Sequence, residues 1–341
     1  MSDRFEPIGL YGLSKPLLFS IPPETAHSLS LQALGLSGKF SWSRALLRTM
    51  FAPSNDPISL FGKELPNRIG LAAGYDKNAT ALDGLEAMGF GHIEIGTIVP
   101  KPQPGNPSPR VHRLPQEFAL VNRLGFPSQG LDVISRRIEG YLNRREKRNI
   151  KNQPSPMLGI NIGRNKLTPN EDAHKDYLEC FLRLSDFADY CTINISSPNT
   201  PNLRKLQNDS ALKSLLTPIL NARINQEKQT PLLVKLSPDL SSEHRIKTLH
   251  TLVQLGIEGV VLSNTKRTQE PWEGGLSGAF LHDNSLRLIT EAKTETPSLR
   301  LIASGGIGQD NDVQLFTEAG ADLVQVWTAL LYRGPKLLQK L

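Results

Sequence analysis

The sequence predicts an α/β protein, a closed (β/α)8 barrel of the TIM type preceded by a helical extension. Three observations predict it. From Asn67 onward, eight short runs rich in β-branched and apolar residues alternate with longer segments of helical spacing. No GxGxxG turn follows the first run, which counts against an open doubly wound sheet. The runs give way to small or polar residues at their carboxyl ends, the edge where parallel α/β proteins usually do their chemistry. At 341 residues the chain is long enough to bury about three quarters of its unfolded surface. Two units are expected, a helical extension over 1–51 and the barrel over 52–341.

The extension comes first. Leu10, Tyr11, Leu13, Leu17, Leu18 and Phe19 give the segment Ile8 to Ser20 an apolar face, and Pro22-Pro23-Glu24 is a good helix start. Ala26, Leu29, Ala33 and Leu36 recur at helical spacing, and Ser41 is placed to cap a third helix bearing Leu46, Leu47, Met50 and Phe51. So apolar a group of helices either packs wholly on the main domain or leaves one face for lipid or a hydrophobic ligand.

The barrel strands are expected near Ile69 to Ala73, His92 to Val99, Met157 to Ile162, Tyr190 to Ile195, Leu232 to Leu236, Gly259 to Ser263, Leu299 to Ala303 and Leu323 to Trp327. Thr80 to Met88, Asp172 to Leu184 and Asp310 to Ala319 carry helical patterning between them. The segment Pro100 to Phe126, stiffened by Pro102, Pro104, Pro107 and Pro109, is too long for a simple βα loop and is expected to serve function. Gly274-Gly275-Leu276-Ser277-Gly278 reads as a flexible loop.

Composition excludes several classes. A net charge of +6 suits an anionic ligand or membrane surface and is too weak to argue for nucleic acid. Its one local cluster, Arg144, Arg145, Lys147, Arg148 and Lys151, reads as a solvated loop. Cys180 and Cys191 are too few for a disulfide framework and lack metal-ligand spacing, so no metal is expected and the compartment should be reducing. The polar opening Met1 to Pro7 is no secretory signal, and no window holds the roughly 18 uncharged apolar residues of a spanning helix.

The candidate chemical groups sit at strand ends. Pro198 and Pro201 stop the strand ending at Ile195, and so gather Asn194, Ser196, Ser197, Asn199 and Thr200 in one turn. Ala72-Ala73-Gly74-Tyr75-Asp76-Lys77-Asn78 lets a flat ligand approach the backbone, with Lys77 as a cation at the rim. Lys235 interrupts a barrel strand, where an unpaired ammonium would cost several kcal/mol; it needs an anion, either a bound one or a barrel acid such as Glu94. Gly305-Gly306 and the Trp327-Thr328 turn form a candidate phosphate cradle. Asn122, Asn194, Asn199 and Asn264 offer amides suited to a planar ligand rich in carbonyl and N–H groups, such as a pyrimidine.

Together these stretches resemble the dihydroorotate dehydrogenase family, in particular its membrane-associated, quinone-linked class. The resemblance runs from Pro23-Glu24-Thr25-Ala26-His27 to Arg333-Gly334-Pro335. Its most specific parts are Gly70 to Lys77, Pro104-Gly105-Asn106, Asn122-Arg123-Leu124-Gly125-Phe126 and Asn194 to Thr200. It implies an FMN-dependent oxidoreductase that converts (S)-dihydroorotate to orotate in pyrimidine synthesis and reduces a membrane quinone.

By this resemblance Ser197 removes the proton from substrate C5 while hydride leaves C6, with Thr200 and Phe126 lining the proton's exit; spacing alone would not have nominated a serine as base. Lys77 lies between cofactor and substrate, and Lys235 stabilises negative charge on the reduced flavin. Asn122, Arg123, Leu124, Gly125, Phe126, Asn194, Asn199, Asn264 and Thr265 hold the substrate. Ala73, Gly74, Tyr75, Asp76, Lys77, Thr97, Asn161, Asn194, Lys235, Ser263, Gly278, Gly305, Gly306, Trp327 and Thr328 hold FMN. The helical extension becomes a quinone tunnel resting on the membrane, with His27 and Arg113 near its inner end; the implied location is the cytoplasmic side of a bacterial inner membrane, held peripherally.

Three residues depart from the family pattern: Trp327 stands where tyrosine is usual, Asn202 where glycine is usual, and Ser263 where threonine is common. Two other readings compete. An FMN-barrel reductase acting on uridine in RNA would need a loop cysteine and an RNA-binding domain that this sequence lacks; a catalytically silent membrane-surface binding protein would rest on the apolar helices alone.

Overall fold

The computed structural model describes residues 6–148 and 154–341; Lys151 lies outside them. Three helices lead, α1 (Tyr11–Ser20), α2 (Pro23–Ser37) and α3 (Ser41–Phe51), followed by a hairpin, β1 (Ile58–Leu60) with β2 (Lys63–Leu65). The chain continues through β3 (Ile69–Leu71), α4 (Leu82–Ala87), β4 (His92–Ile98), β5 (Val111–Leu114), β6 (Ala119–Asn122), α5 (Leu131–Lys147), β7 (Met157–Ile162), α6 (Ala173–Leu184) and β8 (Tyr190–Asn194). It then runs through α7 (Asp209–Ile224), β9 (Leu232–Lys235), α8 (Ser242–Gln254), β10 (Gly259–Leu262), β11 (Lys266–Thr268), β12 (Gly274–Gly278), α9 (His282–Glu295), β13 (Arg300–Ser304), α10 (Asp312–Glu318), β14 (Leu323–Val326) and α11 (Thr328–Arg333).

β3, β4, β7, β8, β9, β10, β13 and β14 close in that order into a parallel barrel, the eight strands read from the sequence, with ends shifted by a residue or two. Every residue of all but one of these strands is buried, which explains their near-continuous apolar character; Arg300 at the start of β13 is exposed. One large apolar layer lies between strands and helices. A second fills the lower barrel, where Met157, Tyr190, Leu233, Val261, Ile302 and Leu323 meet Leu60 and Leu65 of the hairpin that plugs this end.

Some expectations are corrected. Gly274–Gly278 is a strand, held in an antiparallel sheet of order β11-β12-β6-β5 over the barrel mouth. Its glycines let it lie against β6, since a Cβ at Gly274 would sit 2.4 Å from the Asn122 carbonyl oxygen. Ser41 is the first helical residue rather than the cap, and Ser43 Oγ donates back to the Phe40 carbonyl at 3.1 Å. The described part of the basic cluster, Arg144, Arg145, Lys147 and Arg148, is the last turn and cap of α5, not a solvated loop. Leu131, Ile134, Ile138 and Tyr141 bury one face of that helix, and Arg144, Arg145 and Arg148 pair with Asp83 and Glu86 of α4.

Candidate active site

Side chains of a barrel strand alternate between interior and helix layer, so a step of two residues stays on the interior face. Starting from the apolar floor, one such step turns Leu233 into Lys235, Val261 into Ser263, Ile302 into Ser304 and Leu323 into Gln325. On β7 and β8 two steps lead from Met157 to Asn161 and from Tyr190 to Asn194. The interior is therefore greasy at the plugged end and polar at the carboxyl end. Gln325 was missed from the sequence, although it breaks an apolar strand just as Lys235 does.

The polar layer is wired around Glu94, which accepts hydrogen bonds from Asn161 Nδ2 at 2.7 Å, Gln325 Nε2 at 2.8 Å and the Tyr190 hydroxyl at 3.2 Å. Asn161 Oδ1 accepts from Thr97 Oγ1 and Asn194 Nδ2 at 2.6 and 3.0 Å; Asn194 Oδ1 accepts from Ser196 Oγ, which accepts from Asn264 Nδ2 at 2.7 Å. Glu94 thus has three donors of its own. Lys235 forms no ion pair with any described residue, and its pKa is lowered by burial, only partly offset by the field of Glu94. Of the two anions open to Lys235, a direct Glu94 salt bridge is not the one present.

Above this layer lies a cavity of about 1010 Å³, lined by Lys235, Ser197, Asn199, Asn122, Lys77 and Gly306 among others and running out beneath α2 to His27 and Arg113. Ser197 is 6% exposed, and its Oγ accepts the Asn199 N–H at 3.2 Å. Arg204 pins the surrounding loop, donating from Nε to the Ser196 carbonyl and pairing with Asp239 at 2.6 Å. Asn202 adopts a left-handed backbone, φ 58°, so asparagine makes the bend that glycine would make. Lys77 Nζ donates to the Gly74 carbonyl at 2.5 Å, and burial pushes its pKa down to about 8.

The turn after β13 has positive φ at both Gly305 and Gly306, and their N–H groups donate to no acceptor among the described residues. A Cβ on Gly306 would lie 2.2 Å from the His282 backbone nitrogen, so only glycine fits. At the far end of the cavity, His27, Tyr75 and Trp327 cluster, with Trp327 stacked on His27 at 6.1 Å and edge-on to Tyr75 at 5.8 Å. His27 Nε2 donates to the Tyr75 carbonyl at 2.8 Å, and burial with the nearby Lys77 charge lowers its pKa to about 4. Arg113 donates to the Leu18, Phe19 and Ile21 carbonyls at the end of α1, leaving its Nε buried without a partner.

Most residues singled out in the sequence line this one cavity: Ala73, Gly74, Tyr75, Asp76, Thr97, Leu124, Gly125, Phe126, Asn194, Ser263, Asn264, Thr265, Gly278, Gly305, Trp327 and Thr328 join those already named. Asp76 does so with its carboxylate turned away, accepting from the Thr80 and Ala81 N–H groups. Asn161 bonds to Glu94 and does not line the cavity, and Thr200 Oγ1 is buried with no hydrogen-bond partner. Arg123 is exposed on the rim, its guanidinium 4.0 Å from Glu273.

The sequence matches the family model described as dihydroorotate dehydrogenase over residues 57–341. The chain belongs to the dihydroorotate dehydrogenase family. Among its relatives in this family, a dihydroorotate dehydrogenase (quinone) of Albidiferax ferrireducens is 43% identical, with 97% of this chain and 96% of that protein covered. One of Delftia acidovorans is 41% identical, covering 96% and 95%. The ligand-free dihydroorotate dehydrogenase structure from Eimeria tenella superposes with a TM-score of 0.83 at 34% identity, covering 93% of this chain and 92% of that one. The structure of that enzyme with ferulenol gives 0.81 at the same identity, covering 93% and 89%. Family membership makes the chain a flavoprotein oxidoreductase on a (β/α)8 barrel.

Proposed function

We propose that this chain is an FMN-dependent, quinone-linked dihydroorotate dehydrogenase, oxidising (S)-dihydroorotate to orotate in pyrimidine synthesis and passing both electrons to a membrane quinone. The observation that carries the reading is the sharing of one cavity by the Ser197 hydroxyl, a ring of asparagine amides and a buried ammonium, Lys235, without an ion pair among the described residues. The residues present fit FMN. Gly305 and Gly306 offer unpaired N–H groups for a phosphate, Lys235 a cation for an electron-rich ring, and Ala73 to Lys77, Thr97, Ser263, Gly278, Trp327 and Thr328 further wall. When bound, FMN supplies the acceptor for the hydride leaving C6.

The chain's own residues do the rest. Asn122, Asn194, Asn199 and Asn264 already bond to one another or to the barrel network, so they are held in place before the substrate ring arrives. Ser197 Oγ receives the C5 proton. It has no carboxylate or imidazole partner among the described residues, so its proton must move on, and the Thr200 hydroxyl of the same loop, buried without a hydrogen-bond partner, is the candidate next acceptor. Phe126 and the loop over the mouth exclude bulk water.

The acceptor end follows the same logic. The units 1–51 and 52–341 divide the work, the helices making a passage for the quinone that ends at His27 and Arg113. Leu10, the cap of α1, and Leu13 and Leu17 on the helix are 72–80% exposed, joined by Trp42 and Leu46 of α3, a surface suited to the cytoplasmic side of an inner membrane. No helix among the described residues is long and apolar enough to cross a membrane. Anaerobic addition of dihydroorotate to the purified yellow protein tests the reading. Bleaching of the flavin band followed by recovery on adding a ubiquinone is expected, and an unbleached spectrum overturns it.

A further inference from the structure

One titratable group outside the reaction chemistry has an unusual setting. His282 opens α9 with both ring nitrogens on carboxylates: Nε2 lies 2.9 Å from Asp312 Oδ1 and Nδ1 lies 2.9 Å from Asp283 Oδ1. A carboxylate only accepts, so both nitrogens must carry hydrogen, and the ring that makes both bonds is an imidazolium. Asp312 is 2% exposed, and its other oxygen accepts the N–H groups of Gly308 and Gln309 at 2.7 and 2.8 Å. The backbone of His282 itself abuts Gly306.

We propose that His282 is a positioning residue for the FMN phosphate turn: through Asp312 it fixes the backbone of Gly308 and Gln309, which follow Gly305-Gly306, and its charge makes cofactor retention depend on pH. The inference rests on the FMN reading above. The groups facing His282 are Asp283 on its own helix and Asp312 on α10, with the Phe316 ring edge-on at 5.4 Å. On the far side of the turn, Arg333 of α11 donates to the Gly308 carbonyl at 2.6 Å and pairs with Asp310 at 3.0 Å. Arg333 thus grips the turn from that side, and the imidazole of His282 holds it from the other. Hydrogen bonds and charge from Asp312 and Asp283, opposed by burial, raise the His282 pKa above its ordinary 6.5, so the clamp is complete below that ordinary value and is lost as pH rises through the raised one.

The test measures FMN dissociation from holoenzyme by flavin fluorescence on dilution, from pH 6 to 9, for the wild type, His282→Gln and His282→Arg. The wild type should lose FMN affinity about tenfold as pH rises, the size expected for one hydrogen bond to a charged group. His282→Gln, which has a single N–H bearing group, should bind weakly throughout, and His282→Arg, permanently charged with several donors, should bind tightly with a flat profile. FMN's own phosphate ionisation is common to all three and cancels in their ratios. Parallel profiles for the wild type and both variants overturn the role of His282 while leaving FMN binding intact. A wild type that takes up no FMN at any pH overturns the underlying reading too.

Discussion

Asn199 donates from Nδ2 to Asn122 Oδ1 at 3.0 Å, tying the loop after β8 to the end of β6, while Asn122 Nδ2 donates to the Gly275 carbonyl of β12. Three segments far apart in sequence thus meet at one pair of amides over the cavity. Because the two side chains share a bond, their truncations should not add: in a double-mutant cycle of Asn122→Ala and Asn199→Ala on kcat/KM for dihydroorotate, a coupling of about 1 kcal/mol is expected. Simple additivity would mean the pair acts as two independent contacts.

Ser197→Ala should bind flavin and orotate as the wild type does and turn over about a hundred- to ten-thousandfold more slowly, the usual contribution of a positioned proton acceptor. Stopped-flow flavin reduction separates this from a binding defect. Equal rates of reduction in variant and wild type would remove the serine from the proton path.

Lys235→Met offers a test with two opposite signs. The ammonium is buried and lacks an ion-pair partner among the described residues, so replacing it with a side chain of similar volume should leave the apoprotein as stable or more so. Flavin reduction by dihydroorotate should slow, and the flavin's midpoint potential should fall. A drop in thermal stability of the apoprotein would show instead that Lys235 is structural.

His27 gives a pH prediction. Its pKa is lowered from 6.5 to about 4, so the unfolded chain binds a proton near pH 6.5 that the folded chain refuses until about pH 4. The stability this confers is complete above pH 6.5 and is lost as pH falls toward 4, at most roughly 3 kcal/mol before solvent screening. His92, buried and pushed down to about 3, acts in the same direction. The readout is therefore the difference between wild type and His27→Gln: urea midpoints at pH 7.5 and 5 should fall less for the variant.

Arg110 joins the helical extension to the mouth. It donates from Nε to Glu24 Oε1 at 2.9 Å and from Nη1 to the Pro104 and Asn106 carbonyls at 2.6 and 2.9 Å. Glu24→Gln should cost under about 1 kcal/mol, as for a partly exposed pair, whereas Arg110→Met strips donors from two loop carbonyls and should cost about 1–3 kcal/mol. The KM for dihydroorotate should rise with Arg110→Met alone. Chemical denaturation and steady-state kinetics on the two variants decide it.

The barrel was legible because each buried strand is a short apolar run and each exit is marked by glycine, proline or a small polar residue. The cavity was legible where a polar side chain breaks such a run, as at Lys235 and Asn194; Gln325 carried the same mark and was passed over. What could not be read was pairing between distant segments. Nothing local in Gly274–Gly278 announces a strand, because its order comes from β6 and β11 on either side. The arginines at the end of α5 look solvated until α4 brings Asp83 and Glu86 beneath them. The role proposed for Ser197 rests on family resemblance, since a hydroxyl becomes a useful proton acceptor only through surroundings that spacing does not reveal.

The hairpin of β1 and β2 seats Leu60 and Leu65 among the lowest interior side chains of the barrel. A vessel corked at its base has a single rim, and whatever enters or leaves must cross it. The leading helices and the four-stranded cover both supply wall to the one cavity above that cork, so a bulkier side chain on either is expected to shrink the same space.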